Sequence, residues 1–76
     1  MRSVISFVAG GIRKVYIDVG AIIAVTEHTS NPNSSWVVLP EDSLYEVNVP
    51  CDVVIEKIAE AINTSEQTGD FVCVSL

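Results

Sequence analysis

Apolar residues recur along this chain with a period of two as far as residue 49 and with a period near 3.6 from residue 50 onward, so a strand-rich segment gives way to a helix. Val4 to Val8 form a short apolar run, and Ala9-Gly10-Gly11 after it is a turn signal of the kind that joins hairpin strands. From Lys14 to Val19 the alternation is strict, with Val15, Ile17 and Val19 on one side and Lys14, Tyr16 and Asp18 on the other. Gly20 permits a bend, and Ala21 to Thr26 reads as a β-branched-rich strand buried on both faces. Thr29 to Ser35 holds only polar residues and one proline, which makes it a solvated loop. Trp36 to Leu39 predicts a further strand, Pro40-Glu41-Asp42-Ser43 a turn, and Leu44 to Val49 a returning strand that closes a second hairpin.

At Pro50 the period changes. Proline needs no backbone donor at a helix start, and Asp52 suits the positive end of the helix dipole. Val54, Ile58 and Ile62, with Ile55 and Ala61 beside them, form the apolar stripe of a helix expected over residues 51–64. Asp52, Glu56, Glu60 and Asn63 fall on its opposite face. A polar connection containing Gly69 leads to a last strand over 71–76. The whole chain, 1–76, reads as one α+β domain: a mainly antiparallel, curved sheet or open barrel of about five to six strands with one helix in its second half.

Composition adds a constraint on how such a domain is stabilised. A chain of 76 residues buries only about 60% of its unfolded surface. Yet 49% of this one is hydrophobic and 18% charged, which is apolar for a small soluble monomer. Burial against another copy would supply the missing core, so a homo-oligomer is expected. Arg13, Lys14 and Asp18 interrupt the apolar N-terminal third, so no membrane span is expected, and Ser3 and Ser6 break the opening run that a signal peptide would need. The compartment that follows is cytoplasmic, or the host cytoplasm for a phage-encoded chain.

Charge is unevenly placed. The net value is −6, which disfavours direct contact with nucleic acid. Arg2, Arg13 and Lys14 face the single Asp18 before residue 21, whereas from Glu41 onward eight acids face the single Lys57. Such an asymmetry serves solubility, and it also offers an acidic surface to a basic partner.

Tyr16-Ile17-Asp18, Ile22-Ile23-Ala24-Val25, Trp36-Val37-Val38-Leu39, Tyr45-Glu46-Val47 and Val53-Val54-Ile55-Glu56-Lys57-Ile58 together resemble the small FlbD-type proteins found with flagellar genes and among short phage proteins. That resemblance spans Val15 to Ala61 and implies a β-meander followed by one acidic amphipathic helix, with no enzymatic reaction attached. The loop from Thr29 to Ser35 is longer than the pattern, and Thr64 to Leu76 is additional to it.

Reactive side chains are few. His28 is the only histidine, Cys51 has Asp52 beside it to oppose a thiolate, and Cys73 sits in an apolar strand, so two free thiols are expected and no catalytic group is assigned. No zinc spacing, phosphate-binding loop or other cofactor motif occurs, and no metal or cofactor is expected. The first expectation is therefore a non-enzymatic phage or bacterial accessory protein that docks Glu41, Asp42, Glu46, Asp52, Glu56 and Glu60 on a basic surface of a host protein as an inhibitor, counter-defence or regulatory. An alternative is an oligomer that sequesters a small anionic, nucleotide-like ligand between subunits through Arg13, Lys14, His28, Trp36 and Tyr45. A third is a purely structural subunit.

Overall fold

The structure, a computed structural model, describes residues 3–9 and 11–76. Its strands are β1 (Ser3–Ala9), β2 (Arg13–Asp18), β3 (Ala24–Glu27), β4 (Ser35–Leu39), β5 (Ser43–Val47) and β6 (Val72–Ser75), with one helix, α1 (Cys51–Thr68), between β5 and β6. The α+β class and the helix in the second half are as the periodicity predicts. The mainly antiparallel pairing and the six strands of the described residues are also as expected, shared between two sheets rather than gathered in one. The strands make two three-stranded sheets, β2-β1-β6 and β3-β4-β5, that do not close into a barrel. All strand pairs are antiparallel except β1 with β6, which run parallel in the register Ser3↔Val72 to Ser6↔Ser75. The reason lies in α1, whose length carries the chain back before β6 begins, so that β6 enters beside β1 in the same direction.

Between the sheets lies a compact core. Ile5 and Phe7 of β1, Ile17 of β2, Val37 of β4, Val47 of β5 and Val54 of α1 form one buried cluster. Side chains alternate across a strand, so Ser3, Ile5 and Phe7 share the inner face of β1, and the Ser3 hydroxyl donates to the Ala61 carbonyl of α1 at 3.2 Å. β1 is also covered outside: Val4 and Ser6 are buried because, in the middle of the sheet, they are flanked by Asp18 and Tyr16 of β2.

Local chemistry explains where the elements depart from expectation. The residues read as one strand from Ala21 to Thr26 instead begin with a 3-10 turn, Val19–Ala21, and none of Ala21 to Thr26 is fully buried. The Asp18 carboxylate accepts the Gly20 N–H at 2.9 Å, which competes with the sheet ladder and turns the chain before β3. The helix runs past Thr64 to Thr68 and stops at Gly69, whose left-handed φ of 73° ends it with its N–H on the Ser65 carbonyl at 2.8 Å. Only Val54, Ala61 and Ser65 of α1 are buried, whereas Ile55 and Ile62, expected in the core stripe, are exposed. The turn expected at Gly10-Gly11 is present at Gly11, with φ 76°, while Gly10 lies outside the described residues, as does Arg2.

The two ends of the polar loop also differ. Thr29 to Asn33 are exposed, but Ser34 and Ser35 are buried. Their hydroxyls donate to the Asn48 side-chain carbonyl at 3.4 Å and the Val49 carbonyl at 2.8 Å, tying the loop to the segment that follows β5. Among the described residues no helix is long and apolar enough to cross a membrane.

The core assignment predicts a contrast between two isoleucines. Ile5→Ala should cost about 2–5 kcal/mol in denaturant unfolding, because Ile5 is 0% exposed at the sheet–sheet contact. Ile12→Ala, at a residue 93% exposed, should stay within about 0.5 kcal/mol of the parent.

Candidate functional site

β4 and β5 pair in the register Val37↔Tyr45 and Trp36↔Glu46, so Trp36 and Tyr45 lie on opposite faces of their sheet. Tyr45 turns inward and meets Phe7 edge-on, with ring centroids 5.7 Å apart. Trp36 turns outward. His28, in the loop after β3, stacks on it at 5.3 Å between centroids and 12° between planes, and the His28 Nε2–H donates to Glu46 Oε2 at 2.9 Å. On the other side of the ring, Nδ1 accepts the Ser30 backbone N–H at 3.2 Å, with the Ser30 hydroxyl 3.3 Å away. Both imidazole nitrogens are therefore occupied, and the ring works as a structural bridge between the loop, Trp36 and β5.

Beside this bridge a cleft of about 340 Å³ opens between the Glu27–Ser34 loop and the start of α1. Its walls include Glu27, His28, Cys51 and Asp52, with hydroxyl and amide groups from Ser30, Asn31 and Ser34, and no lysine or arginine among the described residues. Asn31 shapes the loop by accepting the Asn33 N–H on its side chain at 3.0 Å. The Cys51 thiol donates to the Val25 carbonyl at 3.8 Å, and both cysteines are free thiols. Among the described residues no group of three or more His, Cys, Asp or Glu side chains is placed to hold a metal ion.

The acids expected to face a partner are all exposed. Asp52, Glu56 and Glu60 repeat at four-residue intervals along one side of α1. Glu46 points out from β5, and Glu41 and Asp42 form the tip of the β4–β5 hairpin. That tip is unusual, because Glu41 and Asp42 hold φ values of 64° and 60° with neither being glycine. Each such residue costs about 1–2 kcal/mol, so the hairpin presents two adjacent carboxylates in a conformation that glycine would adopt more easily. Of the six acids only Glu46 meets a basic side chain among the described residues, and that is His28.

The residues named for an anionic ligand do not gather within one copy. Arg13 and Lys14 are exposed on β2 in the other sheet, with Lys14 Nζ 5.7 Å from the Tyr16 ring centroid, while Tyr45 is half-buried against Phe7. His28 and Trp36 alone come together. The loop from Thr29 to Ser35 is expected to line a ligand pocket between subunits, but that its Ser30, Asn31 and Ser34 meet Cys51 and Asp52 within one copy is visible only in the fold. Comparison of the chain with protein-family models, with curated proteins and with solved structures returned no match.

Two outcomes follow from this geometry. Trp36 is the only tryptophan, so His28→Ala should shift its fluorescence emission to the red by uncovering one ring face, whereas His28→Phe should preserve the parent spectrum. Replacing Glu41 and Asp42 together by glycine should raise unfolding stability by about 1 kcal/mol, read by chemical denaturation, because the left-handed backbone then carries no side-chain penalty.

Proposed function

We propose that this chain is a non-enzymatic accessory protein, phage or bacterial, that assembles with itself and docks its acidic surface on a basic host protein as an inhibitor of a defence or nucleic-acid enzyme. The observation that carries this reading is the hairpin tip. A strained backbone holding Glu41 and Asp42 outward, with Glu46, Asp52, Glu56 and Glu60 exposed as well, spends stability on presenting negative charge. Exposed carboxylates outnumber the cations beside them, His28 at Glu46 and Lys57 on α1, and such a field steers encounter and penalises like-charged competitors. The cleft agrees in sign, because its charged walls are Glu27 and Asp52.

The alternative of nucleotide sequestration has less support: the cations Arg13 and Lys14 stand on one sheet and the His28–Trp36 pair on the other. It would need a second copy to bring them together.

A pull-down from bacterial lysate tests the docking reading. The chain should retain a basic protein at low salt and release it at high salt. A variant carrying Glu41→Gln, Asp42→Asn, Glu46→Gln, Asp52→Asn, Glu56→Gln and Glu60→Gln should fail to capture it even at low salt. Capture indifferent to salt and to the six substitutions would contradict the proposal.

A further inference from the structure

Edge strands present unpaired N–H and C=O groups, so a small two-sheet protein meets its neighbours first at its edges. Here the edges are β2, β6, β3 and β5. β2 is guarded by Arg13, Lys14 and Asp18. Against β3 lies the start of α1, whose Cys51 thiol reaches the Val25 carbonyl, and Glu27 stands exposed at the end of the strand. β5 carries Glu46 and follows the acidic tip at Glu41-Asp42. α1 packs on β6 as well, but among the described residues the β6 edge itself carries no charge. Val72-Cys73-Val74-Ser75 contains no charged residue and no proline, and Phe71 ahead of it is 66% exposed.

The register shows which backbone groups of that edge are open. The Leu76 N–H donates to the Ser6 carbonyl at 2.9 Å, and alternate residues of a parallel strand turn toward the same neighbour. Val72, Val74 and Leu76 therefore face β1, while the N–H and C=O groups of Cys73 and Ser75 face outward, with Phe71 in the same phase. We infer that β6 pairs antiparallel with β6 of a second copy about a two-fold axis at Cys73, joining the two β2-β1-β6 sheets into one continuous sheet. This rests on the self-assembly part of the reading above.

A second copy fits for reasons of symmetry and charge. A strand antiparallel to its own copy is self-complementary, and this register sets Cys73 against Cys73 and Phe71 against Ser75 on both sides, engaging all the outward groups. It also sets Asp70 opposite Leu76 rather than opposite a second Asp70. Two copies that each carry a net charge of −6 repel wherever their acidic surfaces approach, and the uncharged β6 edge avoids that. Directly opposed residues with paired backbone groups have Cα atoms about 5.5 Å apart, within the range a disulfide spans. Cys73 is exposed, so its thiol and that of the second copy would sit side by side on the outer face. The edge is short, which places the dimer among concentration-dependent contacts.

Sedimentation of the full chain over a range of concentrations tests the pairing. The wild type should associate reversibly to a dimer, and Ser75→Pro should be monomeric with an unchanged circular-dichroism spectrum, because proline there removes an outward N–H and leaves the β1 ladder intact. If Ser75→Pro does not fold, Ser75→Lys serves, with the same expected loss of the dimer. In a second arm, diamide is added to Cys51→Ser protein. Two Cys73 thiols lose two protons and two electrons to diamide, which becomes its hydrazine, and the chain should then migrate as a covalent dimer; Cys73→Ser protein should not. A wild type monomeric at every concentration, a dimer that persists in the folded residue-75 variant, or no Cys73 cross-link would each overturn the inference. So would capture of a foreign strand by a monomeric chain. Salt-sensitive capture of a basic protein by a monomer would overturn the pairing while leaving the docking reading in place.

Discussion

Everything in this fold hangs on β1. Its inner side chains, Ile5 and Phe7, join Ile17 of β2 as the contribution of one sheet to a core shared with Val37 and Val47 of the other sheet and Val54 of the helix. Its backbone is paired on both sides, to β2 and to β6. In so short a chain there is no second core to fall back on. The pairing with β6 joins residues near opposite ends of the described chain, so the last strand is held by a non-local contact whose closure is among the slower steps a small domain can require. α1 makes it possible by packing against β1 and β6 together and across to β3.

A core of this kind leaves the outside free for other uses. Acidic side chains occupy exposed positions on α1, on β5 and at the β4–β5 tip, and the backbone at that tip is strained to present them. The His28 bridge fixes the loop beside Glu46 through a stack and hydrogen bonds at both ring nitrogens, so a polar loop gains a defined shape. Apolar exposure is the counterpart. Ile55 and Ile62 on the helix and Phe71 before β6 are exposed apolar residues.

Much of this was legible in the residues, and the failures have physical causes. Alternation from Lys14 to Val19 and from Leu44 to Val47 reports strands faithfully, because a half-buried strand must alternate. The helix start was visible at Pro50, but its end was not: Thr64 to Thr68 are polar, and the stop belongs to Gly69. The stripe through Ile55 and Ile62 misled because three apolar lanes cannot all face one core, and α1 buries only Val54, Ala61 and Ser65, with Ile58 packed at the core's edge. Ser34 and Ser35 read as solvated because their partners, Asn48 and Val49, are adjacent only after folding. Among candidate site residues the six acids were found where expected, at the surface. The union of His28 with Trp36, and the separation of both from Tyr45 and Arg13, depended on strand register, which no local pattern encodes.

The central physical claim is that the two sheets and the helix form one cooperative unit through the inner face of β1. Native-state hydrogen exchange measures this directly. The account predicts that the slowest amides of β1, β4 and α1 share one opening free energy, equal to that of global unfolding. A lower value for β1 and β6 than for β4, showing that one sheet opens while the other stays closed, would contradict it.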